Sequence, residues 1–82
     1  MAMAQCPTRD RQTVERHLRK AQEDIALGRK LVDKQRAMVM VLQADDHSTK
    51  IAKKLLAKFE AIQAMHIAHR DRLLDERARC RD

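Results

Sequence analysis

Apolar residues recur along this chain in two long, strictly alternating series. Val14, Leu18, Ala21, Ile25, Gly28, Val32, Gln35, Val39 and Leu42 are spaced by fours and threes, and Ala52, Leu55, Phe59, Ile62, His66, His69, Leu73, Glu76 and Cys80 by threes and fours. Such spacing places every member of a series on one face of a helix. If the chain reverses at Asp45–His47, the two series face each other in antiparallel pairs whose residue numbers add to 94, from Val14 with Cys80 to Leu42 with Ala52. The fold class predicted is all-α: an antiparallel, coiled-coil-like hairpin, with helix 1 over about 8–43, a turn at 44–48 and helix 2 over about 49–79.

The intervening segment supports the reversal. Gln43-Ala44-Asp45-Asp46-His47-Ser48-Thr49 gathers residues whose short side chains bond locally to backbone. Asp46 or Ser48 is the expected N-cap of helix 2, and Thr8 or Asp10 that of helix 1. One continuous helix is the rival, since such residues lower helix propensity without forbidding it. The flanks of the seam favour the hairpin: Asp24 is predicted to meet Arg72, Leu31 Met65 and Met38 Lys58, with Glu15 against Arg77 and Gln22 against Arg70 on the other side.

Two helices leave apolar residues uncovered. Leu27, Leu31, Met38 and Val41 make a second stripe on helix 1, continued on helix 2 by Ile51, Met65 and the small residues Ala61 and Ala68, with Leu56, Ile67 and Leu74 further round. A contiguous stripe marks an interface. These eight stripe residues are the predicted dimer interface, and the expected partner is a second copy in a C₂ four-helix bundle.

Composition fits long helices. The 82 residues include one Gly, one Pro and one aromatic, Phe59, and 37% are charged. This is one small domain, of a size that often needs a staple or partner. The longest apolar run, Ala37–Leu42, is far short of the roughly 20 residues a membrane span needs. The N-terminal Met-Ala-Met-Ala-Gln-Cys-Pro lacks a secretory pattern, so the expected location is cytoplasmic and the expected state of Cys6 and Cys80 is thiol. A helical Cys6 would lie about 12 Å beyond the level of Cys80, so a disulfide requires the leader to fold back.

The net charge is +6. Arg9, Arg11, Arg16, Arg19, Lys20, Arg70, Arg72, Arg77, Arg79 and Arg81 gather at the end holding the termini, interleaved with Asp10, Glu15, Asp71, Asp75, Glu76 and Asp82. A pI near 9.9 admits nucleic acid or an acidic protein as partner. No aromatic stacking platform or reading motif accompanies it.

Chemistry-bearing residues are few. His66 and His69, at i and i+3 on the seam, could hold a metal ion between paired copies. Glu-x-x-His motifs are missing, and the competing reading packs His66 into the space left by Gly28. His17 and His47 lie at opposite ends of helix 1 and cannot share a site within one chain. Gln35, predicted to face Phe59, is a polar seam residue of the kind that sets register. No nucleophile–base pair, phosphate loop or carboxylate pair is present, so neither enzymatic activity nor a cofactor is expected.

Three stretches resemble small helical-hairpin proteins of alphaproteobacteria whose function is unknown: His17-Leu18 … Ala21 … Ile25-Ala26 … Gly28 … Gln35; then Asp46-His47-Ser48-Thr49 with Leu55-Leu56 and Phe59; and Met65-His66-Ile67-Ala68-His69-Arg70-Asp71-Arg72-Leu73. The resemblance implies a short hairpin and brings no site residues. In that pattern Gly often stands at position 46 and an acid at position 69. The leading expectation is a self-associating interaction module; a basic nucleic-acid-binding accessory and a His-based metal bundle are the alternatives.

Overall fold

The computed structural model describes residues 10–80, which form two antiparallel helices packed along their length as a hairpin, with no strand among the described residues. Helix α1 spans Arg11–Ala44 and α2 spans Lys50–Arg79. At 1.5 Å per residue α1 is about 51 Å long.

Asp10 caps α1: its backbone is extended, and its Oδ1 accepts a 2.8 Å hydrogen bond from the Thr13 N–H. That satisfies one of the donors a helix start leaves open. The other end of α1 closes in a Schellman motif. The Asp46 N–H donates to the Gln43 carbonyl at 3.2 Å and the His47 N–H to the Leu42 carbonyl at 2.9 Å, around Asp46 at φ 59°. Asp46 therefore terminates α1 and does not cap α2. The α2 cap position is Thr49, whose side chain makes no capping bond; the Ser48 hydroxyl accepts from the Lys50 N–H at 3.4 Å.

Every predicted seam residue of α1 is buried or half-buried. On α2 the expectation holds in part: Ala52, Phe59, His66, Leu73, Glu76 and Cys80 are buried or half-buried, whereas Leu55, Ile62 and His69 are exposed. In their place Leu56, Gln63 and Arg70 are half-buried, and Arg77 is half-buried beside Glu76. The inner series of α2 is thus 52, 56, 59, 63, 66, 70, 73, 77 and 80, and the helix is turned by part of a residue step from the predicted orientation. Gly28 consequently lies under Gln63, not under His66.

Two glutamines hold this rotation. Gln63 Nε2 donates to the Ile25 carbonyl at 2.9 Å, and Gln35 Nε2 donates to the Ala52 carbonyl at 3.0 Å. Each helix thus sends one amide onto the other's backbone, and Gln35 engages the start of α2 instead of merely facing Phe59.

The tightest packing is at the end carrying the termini, where Val14, Leu18, Ala21, Leu73 and Cys80 form a buried cluster with Leu74 against it. Cys80 is disulfide-bonded and 3% exposed, which corrects the thiol expectation. The 12 Å offset assumed helix through position 6, whereas α1 is capped at Asp10. Cys6, the only other cysteine in the chain, lies outside the described residues, as do Thr8, Arg9, Arg81 and Asp82.

The predicted ion pairs between helices are replaced by local ones. Asp24 pairs with Lys20 at 3.1 Å and Glu15 with Arg11 at 3.2 Å, each one turn away. These partners are close regardless of how α2 is rotated. Arg36–Glu60, at 3.1 Å, is an ion pair that does cross between the helices.

Candidate interaction face

The rotation of α2 sorts the two long sides of the hairpin by polarity. One side carries Arg29, Asp33, Arg36 and Glu60 around a shallow groove, where Arg36 bridges Asp33 and Glu60. Two large apolar residues are exposed on this side, Ile67 at 37% and, one turn on from Arg36, Met40 at 64%. The opposite side carries Leu27, Leu31, Met38 and Val41 from α1 and Ile51, Leu55, Ile62 and Met65 from α2, all exposed, up to 81% for Ile51. Between the helices on this side lies a groove of about 140 Å³ lined by Asp24, Leu27, Gly28, Leu31, Phe59, Ile62, Gln63 and His66.

Spacing gives this side its character. Residues 27, 31, 34, 38 and 41 step by four and three along α1, and residues 51, 55, 58, 62 and 65 do the same along α2. Each series lies about a quarter-turn from the seam joining the helices. Both helices therefore bear a second coiled-coil seam on the same side, in the half of the hairpin nearest the turn. Lys34 and Lys58 each interrupt one series and fall at the same level.

Leu27, Leu31, Met38, Val41, Ile51 and Met65 of the predicted interface are on this face. Leu55 and Ile62, which sequence reasoning assigned to the inner seam, join them. Ala61 and Ala68 are exposed further round α2. The signal for Leu55 and Ile62 was their equal fit to either seam.

The histidine pair is split by the same rotation. His66 is half-buried and lines the apolar groove, while His69 is exposed. Among the described residues no three His, Cys, Asp or Glu side chains are gathered to hold a metal ion. His47 is an exposed turn residue.

Several cations near the termini are matched by acids: besides Arg11–Glu15 and Lys20–Asp24, Arg70 meets Asp71 at 2.9 Å and Arg79 meets Asp75 at 2.8 Å. Asp24 holds the Lys20 ammonium pKa above its usual range through their hydrogen bond. Among the described residues no helix is long and apolar enough to cross a membrane. Comparison with known protein families, curated proteins and solved structures finds no match.

Proposed function

We propose that this protein is a helical interaction module, with a binding and not a catalytic role, that works by burying its apolar face against another pair of helices. The observation that carries this is the second heptad seam, present on both helices, on the same side, at the same levels. A hairpin with two such seams about a quarter-turn apart is half of a four-helix bundle. The simplest completing half is a second copy related by a two-fold axis.

Leu31→Glu with Met65→Glu tests the reading, because both residues are on the face and neither supports the inner seam. Association measured by light scattering across micromolar concentrations should weaken in the double variant while helicity by circular dichroism is retained. Equal association of wild type and variant overturns it.

A cytoplasmic location is also part of the reading, and the Cys80 disulfide pulls against it, because reducing compartments keep such thiols apart. The state of Cys80 in intact cells decides between them.

A further inference from the structure

The face that docks helices also carries a charge signature, and the inference here rests on the docking reading above. Within the second seams the five positions on each helix are apolar except Lys34 and Lys58. No acid occupies any of these ten positions, and neither lysine is ion-paired among the described residues. The nearest acid along the α1 seam, Asp24, is already matched by Lys20.

A polar residue within an apolar seam selects partners: it is tolerated opposite a complementary group and opposed by a like one. A second copy aligns well in its apolar residues but badly in charge. Superposing the two faces so that apolar meets apolar, with the turns at the same or at opposite ends, brings both lysines of each copy into one layer. Four ammonium groups then share one stretch of interface. A partner with carboxylates at that layer keeps every apolar contact and turns the repulsion into ion pairs.

We infer that the preferred occupant of this face is an acidic amphipathic helical partner, with a seam of fours and threes interrupted by a Glu or Asp at the level of Lys34 and Lys58. An anionic membrane is less well matched. Basic amphipathic membrane helices present large apolar residues with Trp or Phe, whereas the only aromatic here, Phe59, lies in the inner seam.

The chain itself supplies the probe. The variant K34E/K58E presents the same apolar face with carboxylates in the layer. Mixed in equal amounts with wild type and read by native mass spectrometry, it should form a heterodimer at about ten-fold excess over the statistical proportion, the scale expected for a few exposed charge pairs. Added salt should erase that excess by screening. A statistical mixture of dimers, or a wild-type homodimer as tight as the heterodimer, overturns the acidic-partner inference and leaves the docking reading standing. Absence of association in wild type, variant and mixture, with L31E/M65E indistinguishable from wild type, overturns both. Capture of wild type by anionic phospholipid vesicles without heterodimer formation overturns the choice of a helical partner.

Discussion

The side-chain amide of Gln63 lies directly on the backbone of Gly28, filling the space where any other residue would carry its Cβ. Its Nε2 donates to the Ile25 carbonyl, and its Oε1 is buried against the glycine without a hydrogen-bond partner. Gly28 costs α1 about 1 kcal/mol of helix propensity against Ala. It is retained at the point where the polar residue that orients α2 must approach.

This predicts a coupling. Gly28→Ala gains about 1 kcal/mol of propensity but evicts the Gln63 amide, losing a hydrogen bond worth about 1 kcal/mol. Alone, the substitution should be near neutral. In a Gln63→Ala background it should stabilise by about 1 kcal/mol. A double-mutant cycle by denaturant unfolding measures the difference, and additive effects would show that the two residues do not depend on each other.

Asp46 is the second place where backbone geometry asks for glycine. At φ 59° it sits in the left-handed region while closing the Schellman motif. A side chain is disfavoured there, less so for Asp than for most residues. Asp46→Gly should therefore raise stability by about 0.5–1 kcal/mol, a few degrees in melting temperature. Asp46→Val should lower it by more than that, since a β-branched residue is poorly suited to this region.

How far the fold was legible follows from these residues. The inner seam of α1 could be read completely because it alone keeps an apolar or small residue at nearly every three–four step from Val14 to Leu42, whereas the second series turns polar before Leu27. On α2 two interleaved series fit the same periodicity. One contains Leu55 and Ile62, the other Leu56 and Gln63, and hydrophobicity alone prefers the first. The structure takes the second because Gln63 can bond the Ile25 carbonyl only over a glycine, and because Arg70 is half-buried with its charge at the surface beside Asp71. A rule that ranks polar residues as outward cannot find that solution. The same error concealed Leu55 and Ile62 on the interaction face and made His66 and His69 look like a facing pair. The disulfide at Cys80 was hidden differently, since its distance argument depended on where α1 begins.

The N-terminal cap makes the first turn sensitive to acid. The Thr13 backbone N–H, and then its hydroxyl, hold the Asp10 carboxyl below the ordinary aspartate range. A folded-state pKa depressed below the unfolded value of about 3.9 contributes stability that is present above that pH. The contribution is lost as pH falls through the lower folded value. Amide exchange at Thr13 and Val14 should thus accelerate on acidification below about pH 4, relative to mid-helix amides. Asp10→Asn, which keeps an oxygen for the cap, should remove that dependence. An NMR titration placing the Asp10 carboxyl at or above its unfolded value would sink the argument.

Cys80 is both bonded and buried beside Val14, Leu18 and Leu73. Disulfides stabilise mainly by restricting the unfolded chain, typically by about 2–4 kcal/mol. Cys80 in the native protein should resist iodoacetamide until reductant is added, and reduction should lower the melting temperature by several degrees. Alkylation of Cys80 without reductant would contradict the bonded state. The same labelling in intact cells reads the compartment: a protected Cys80 places the chain where disulfides persist, and a reactive one restores the cytoplasmic expectation. Because Cys80 packs against the end of the hairpin farthest from Lys34 and Lys58, breaking the bond should leave the charge selectivity of the apolar face intact, so cross-link and docking surface can be tested separately.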